Sequence, residues 1–229
     1  MTKRRLKNKL ERFIDLSGGK MFTGIIEAVS EITRVEKSGS ECRLCVKNPF
    51  GNGIKTGDSI AVDGVCLTVE SFSSAVISFF VSKATLEKTI AGNYNAGSAV
   101  NLERAMPANG RFDGHIVQGH VDSCGKVAEI RKIGDGTEIK IDFDRNFTDF
   151  TVPRGSIAVN GVSLTIAELE GNTFKISLIP ETMKRTSFGK ILKTGASVNL
   201  EFDILGKYAA KMMRRGGNEG TLENLMEKL

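Results

Sequence analysis

Tryptophan is absent from the 229-residue chain, and histidine (2), proline (4) and cysteine (4) are scarce. Each scarcity removes a class. Four cysteines in a chain of this length, with no apolar signal segment ahead of them, do not make a disulfide framework. Reduced thiols in a reducing compartment, the cytoplasm, are expected. Long apolar runs are also missing: the stretch Ala75–Val81 is broken by serine and falls far short of the ~18 residues a membrane span needs. What remains is ordinary globular material, 40% hydrophobic and 26% charged, long enough for one large or two small domains.

The formal net charge of +5 first suggests an anionic partner. Its distribution removes that suggestion. Residues 1–20 hold seven basic residues (Lys3, Arg4, Arg5, Lys7, Lys9, Arg12, Lys20) against Glu11 and Asp15, while the other 209 residues carry 25 of each sign. The excess is confined to a leader, expected to be a disordered, solvated segment or a start-site or tag artefact, ahead of a body beginning at Met21. A neutral body without tryptophan offers no basic face with stacking aromatics, so neither nucleic acid nor membrane is expected as a partner.

An internal repeat organises that body. Ser59–Glu70 (SIAVDGVCLTVE) matches Ser156–Ala167 (SIAVNGVSLTIA) at an offset of 97, with 8 of 12 positions identical. Thr85 and Thr89 align with Thr182 and Thr186, and Gly97-Ser-Ala-Val-Asn-Leu-Glu103 with Gly195-Ala-Ser-Val-Asn-Leu-Glu201. Asp63-Gly64 and Asn160-Gly161 between β-branched runs predict tight type I′ hairpins. Beyond each turn, apolar Val65, Leu67, Val69 and Val162, Leu164, Ile166 alternate with small polar residues, the period of a half-buried strand. Further strands are predicted at Ile25–Val35, Leu44–Val46, Val76–Val81, Val100–Leu102, Ile139–Phe143, Thr173–Leu178 and Val198–Phe202. The pattern implies a small antiparallel barrel or sandwich per repeat. Ile204–Met213 and Leu222–Leu229 read as helix around Gly216-Gly217.

Candidate chemistry is sparse. His115 and His120 sit at the repeat junction, five residues apart, and in an extended segment face opposite sides; a shared metal is not expected, and acid–base work competes with a capping role. Cys42-x-x-Cys45 lacks a second pair at ligand spacing and reads as partly exposed thiols. Cys66 and Ser163 place nucleophile-type side chains at one address of each repeat. From the residues alone the result is two related pockets, suited to two like ligands.

Five motifs then carry a resemblance: Met21–Glu27 (MFTGIIE), Asp63–Val69 (DGVCLTV), Gly114–Asp122 (GHIVQGHVD), Asn160–Thr165 (NGVSLT) and Ile179–Thr182 (IPET). In this order, on this duplication, the chain resembles the riboflavin synthase alpha-chain family of duplicated lumazine-binding barrels. The resemblance implies a mainly β fold: two tandem six-stranded antiparallel Greek-key barrels plus a C-terminal α-helix. The expected divisions are the leader 1–20, barrels over 21–117 and 118–205, and an oligomerisation helix over 206–229.

It also implies a reaction without metal or cofactor. Two 6,7-dimethyl-8-ribityllumazine molecules dismutate to riboflavin and 5-amino-6-(ribitylamino)uracil by transfer of a four-carbon unit. Implied partners are the substrate, two further copies in a homotrimer, and lumazine synthase. By position, Cys66, His120, Ser163, Thr165 and Asp203 correspond to catalytic positions, with His120 a candidate base at the acidic C7 methyl and a thiolate or hydroxyl a candidate nucleophile. An unassisted threonine is a poor nucleophile, so Thr165 equally suits holding water. Phe22, Gly24, Ile25 and Ile26 group with Cys66, Leu67, Thr68, Phe80, Lys83 and Thr85 as a first pocket. Gly119, His120 and Val121 group with Arg154, Ser163, Leu164, Thr165, Ile179, Pro180, Glu181 and Thr182 as a second. The alternative is a non-catalytic lumazine- or flavin-binding antenna protein; such proteins tend to lose the histidine, cysteine and threonine positions that are all present here.

Overall fold

The computed structural model describes residues 21–215. The expected basic leader and the Leu222–Leu229 helix lie outside the described residues.

Twelve strands close into two barrels of six. The first comprises β1 (Ala28–Ser38), β2 (Glu41–Lys47), β3 (Ser59–Val62), β4 (Val65–Phe72), β5 (Val76–Val81) and β6 (Ala99–Arg104), in the spatial order β1-β2-β5-β4-β3-β6. The second comprises β7 (Ser123–Ile133), β8 (Gly136–Asp142), β9 (Ser156–Val159), β10 (Val162–Glu170), β11 (Thr173–Leu178) and β12 (Ser197–Phe202), joined in the equivalent order. In each, three hairpin-linked strands return to lie beside an earlier one, a Greek key. Short helices α1 (Lys83–Lys88), α2 (Pro180–Arg185) and α3 (Phe188–Ile191) cover barrel ends, and α4 (Ile204–Arg215) follows the second barrel.

The alternation read from sequence builds both interiors. Val65, Leu67 and Val69 are buried between Cys66, Thr68 and Glu70, which are half-buried or exposed. Barrel one fills with aliphatic residues such as Ile32, Leu44, Ile60, Ile77 and Leu102, with Phe79 among them. Barrel two is more aromatic: Phe143, Phe174 and Phe202 cluster, and Phe147 stacks on Phe202 at 5.1 Å. Such offset pairs contribute beyond their buried area.

Two expectations need correction. β1 starts at Ala28 rather than Ile25, because Gly24 takes φ +77 and the preceding backbone bonds a buried carboxylate instead of a strand. The Cys42 and Cys45 thiols are buried, not partly exposed. Cys42 packs into the barrel core, and a register shift in β1 between Ile32 and Arg34 accompanies the second thiol, which lies 3.4 Å from the Ser78 hydroxyl.

The barrels meet turn against turn. Asp63 (φ 45) and Gly64 (φ 78), like Asn160 (φ 46) and Gly161 (φ 76), have the two positive φ angles of a type I′ hairpin. A Cβ on Gly64 would stand 2.7 Å from the Gly161 nitrogen, and one on Gly161 equally close to Gly64. Amides cross over: Asn101 Nδ2 donates to the Asn160 carbonyl (3.0 Å) and Asn199 Nδ2 to the Asp63 carbonyl (2.8 Å). Both backbone groups are thereby satisfied in the seam.

Candidate active site

Two short segments, one ahead of each barrel, form the rest of the seam. Phe22 pairs with Val117 in an isolated antiparallel bridge. Buried glutamates hold both segments. Glu103, on β6, accepts hydrogen bonds from the Thr23 and Gly24 N–H groups and the Thr23 hydroxyl (2.7–3.0 Å). Glu201, its counterpart on β12, accepts from the N–H groups of Gln118, Gly119 and His120 (2.6–3.0 Å). Burial pushes both carboxyls above their ordinary pKa, and these donors oppose that shift.

Each segment lies on the opposite barrel. The Gly24 carbonyl accepts the Ser163 N–H (2.8 Å), and the Gly119 carbonyl accepts the Cys66 N–H (2.9 Å). A Cβ on Gly24 would meet the Ser163 Cβ at 2.7 Å, and one on Gly119 the Cys66 Cβ at 2.4 Å. Ile26 packs on the second core and Val121 belongs to the first. The grouping carried over by position from the resemblance is therefore corrected: Gly24 bonds Ser163 and Ile26 packs on the second core, while Gly119 bonds Cys66 and Val121 packs in the first. The Gly-His motif divides its histidines in the same way.

His115 is 7% exposed and its Nδ1 shares a 2.7 Å hydrogen bond with the Ser163 hydroxyl. Its Nε2 is buried without a hydrogen-bond partner. Burial pushes its pKa below the ordinary histidine value, and the Asp203 carboxylate pulls it back. Asp203 also caps α4, accepting from the Leu205 N–H at 3.0 Å. His120 is exposed, next to the Gly119 that covers Cys66.

Around barrel one, Thr68, Phe80 and Lys83 are exposed and Cys66 and Thr85 half-buried; around barrel two, Thr165, Ile179, Pro180 and Glu181 are exposed and Ser163, Leu164 and Thr182 half-buried. Phe22 at 0% exposure fills the seam with Ala61, Val117 and Ala158, and Leu67 and Val121 point into core, so these side chains do not face a ligand. A cleft of about 570 Å³ runs beside Thr23, Ile25, Glu103 and Met106–Pro107, and of the expected site residues only Ile25 borders it.

Arg154 has φ +66, and its N–H bonds the Ile166 carbonyl as the N–H of Gly57 (φ +90) bonds Val69 in the first repeat. Glycine enters that conformation freely; an L-residue there costs about 1–2 kcal/mol. Arg154 is exposed, and it takes a positive φ where the first repeat has glycine.

Sequence reasoning missed the His115–Ser163 pair, the two glutamate clamps and the strain at Arg154. The clamps had a signal: Asn and Glu two apart in both Val-Asn-Leu-Glu copies share a strand face. So did Arg154, which aligns with Gly57 at the repeat offset.

Among the described residues, no group of three or more metal-ligating side chains converges. The fold defines a duplicated β-barrel protein, one closed six-stranded barrel per repeat. The profile of the lumazine-binding domain matches twice, over residues 23–105 and 118–203. Riboflavin synthase of Actinobacillus pleuropneumoniae is 41% identical over 206 residues, spanning 90% of this chain and 95% of that protein. The Bacillus subtilis riboflavin synthase is 40% identical at the same coverage. A crystal structure of LumP complexed with riboflavin superposes with a TM-score of 0.74 at 25% identity, covering 80% of this chain and 99% of that one. Another, complexed with 6,7-dimethyl-8-(1'-D-ribityl) lumazine, gives 0.72 at 23%, covering 79% and 98%. The chain belongs to the riboflavin synthase family.

Proposed function

We propose that the protein is a transferase that dismutates two molecules of 6,7-dimethyl-8-ribityllumazine to riboflavin and 5-amino-6-(ribitylamino)uracil. The observation that carries this reading is the pair of reciprocal half-sites. A reaction consuming two copies of one molecule needs two like surfaces in fixed relation, and aligning reactants supplies up to about 7–11 kcal/mol in well-oriented systems.

One half-site comprises Cys66–Thr68, Phe80, Lys83 and Thr85 with Gly119 and His120. The other comprises Ser163–Thr165, Arg154 and Ile179–Thr182 with Gly24–Ile26. In the first, His120 is the candidate base at the C7 methyl, with Cys66 a candidate nucleophile. In the second, Ser163 and Thr165 present hydroxyls and Arg154 a fixed charge.

Both faces look outward from their barrels, whereas small-molecule sites bury most of their ligand. Enclosure therefore comes from another copy, with one chain's first half-site meeting its neighbour's second. Helix α4 is the element for that association: Leu205, Tyr208, Met212 and Met213 are each more than half exposed on it. Three copies, operation in the cytoplasm and contact with lumazine synthase complete the reading.

Incubating the purified protein with 6,7-dimethyl-8-ribityllumazine is expected to yield riboflavin without added cofactor. Tight lumazine binding without product would replace this reading with an antenna protein.

A further inference from the structure

The two half-sites share a backbone frame but not their chemistry. Ser163 and Cys66 occupy one repeat address, and each backbone N–H bonds the glycine carbonyl that covers it. Ser163 has a histidine behind it. His115 reaches its hydroxyl at 2.7 Å, sits at 7% exposure, and leaves Nε2 buried without a partner. A buried ring nitrogen without a partner is costly, so its retention wants a reason. The residue is held through its backbone and one ring nitrogen. The His115 N–H donates to the Thr23 carbonyl (3.1 Å), Gly114 leaves no room for a Cβ against that same oxygen, and Ser163 takes Nδ1.

We propose that His115 is a positioning residue for the Ser163 half-site. It holds the hydroxyl proton on the line to Nδ1, so that the Ser163 oxygen faces the bound lumazine as an acceptor. Identical substrate molecules then meet two unequal surfaces, one with an oriented hydroxyl and one with a thiol. This inference rests on the lumazine dismutase reading above.

The direction of the bond depends on His115 being neutral. Burial favours that state. The charged group acting on the ring is the Asp203 carboxylate, after β12, which favours the imidazolium; Asp113 stands two residues earlier in the chain, and Glu103 is bonded to the adjoining Thr23–Gly24. Protonation makes both ring nitrogens donors and turns the serine proton toward the substrate. Turnover should therefore fall on the acid side of pH 6.5, the ordinary histidine value.

The test compares His115→Gln, His115→Asn, Ser163→Ala and the His115→Gln/Ser163→Ala double variant with the unmodified protein. It records kcat and KM for riboflavin formation from 6,7-dimethyl-8-ribityllumazine between pH 5.5 and 8.5, lumazine affinity, and the melting temperature. His115→Gln should lower kcat by about ten- to hundredfold with KM within threefold, and the double variant should be no worse than the poorer single. His115→Asn, which sets an amide near the Nδ1 position, should recover most of kcat and share the acid-side profile of Ser163→Ala, in which His120, the candidate base, is the histidine left to shape it. Ser163→Ala, being half-buried, carries the test if His115→Gln melts early. Multiplying losses in the double variant, an acid-side profile in Ser163→Ala identical to that of the unmodified protein, or full turnover in His115→Gln would overturn the inference while leaving the activity in place. An unmodified protein that binds lumazine and forms no riboflavin would remove the activity, and this inference with it.

Discussion

Arg154 and Asp63 are the two residues where the repeats differ most instructively. Replacing Arg154 by the glycine of its repeat partner removes backbone strain but adds freedom to the unfolded chain. Stability should stay within about 1 kcal/mol of the parent. Lumazine affinity should fall at least tenfold, as judged by equilibrium binding and urea unfolding on the same preparation. Asp63 is buried at the turn contact, accepting from the Asn101 N–H (2.8 Å) and the Tyr94 hydroxyl (2.6 Å). Burial raises its pKa from 3.8 to about 7 in spite of those donors. Between these values the folded state holds a proton that the unfolded state has lost, so stability falls as pH rises through that window and the penalty persists above it. Asn160 makes the corresponding bond to the Asn199 N–H without a charge. Asp63→Asn should therefore raise the melting temperature by several degrees at pH 8.5 and hardly at all at pH 4.

At the scale of elements, the glycines of the two crossing segments do what strands cannot. Gly119 combines φ +78 with a Cβ position 2.4 Å from the Cys66 Cβ, whereas Gly39 (φ +59) has nothing within 4 Å. Gly119→Ala should cost more than about 3 kcal/mol and Gly39→Ala about 1 kcal/mol, the difference being steric, as urea midpoints can measure. Strand identity was legible because period two and the Asp-Gly and Asn-Gly turns act locally: Val76–Val81 and Thr173–Leu178 fall where alternation puts them. Strand β7 passed unread, since a register shift between Val127 and Glu129 breaks its period-two alternation. The strand expected from Ile25 is preceded by Thr23 and Gly24, whose partners, Glu103 and Ser163, lie 79 to 139 residues away. No local pattern encodes a contact of that range.

For the whole molecule, the duplication was readable because two copies must solve the same barrel-building problem with the same residues. The pairing of half-sites was not. A repeat shows which residues are equivalent; it does not show which equivalents face one another, and positions carried over from the resemblance grouped Gly24 with Cys66 and Gly119 with Ser163, the reverse of the bonds observed. The His115–Ser163 pair stayed hidden for the same reason. Assembly is a property of this scale too. Tyr208 and Met212, 62% and 56% exposed on α4, are held outward while Lys207 ties the helix to Asp122 at 2.6 Å. A Tyr208→Glu/Met212→Lys variant should keep its melting temperature, sediment at lower mass than the parent, and lose riboflavin formation in proportion.

The crossed amides of Asn101 and Asn199, and the two turns that leave no room for a Cβ on either glycine, are reciprocal: each bond has a twin with the roles of the barrels exchanged. A contact of that kind is self-complementary, and two separate copies of a single repeat can make it before any peptide joins them. Joining the copies through residues 105–113 has one lasting effect. It lets the halves differ, arginine at 154 against glycine at 57, hydroxyl at 163 against thiol at 66, and amide at 160 against acid at 63, without disturbing the handshake between them.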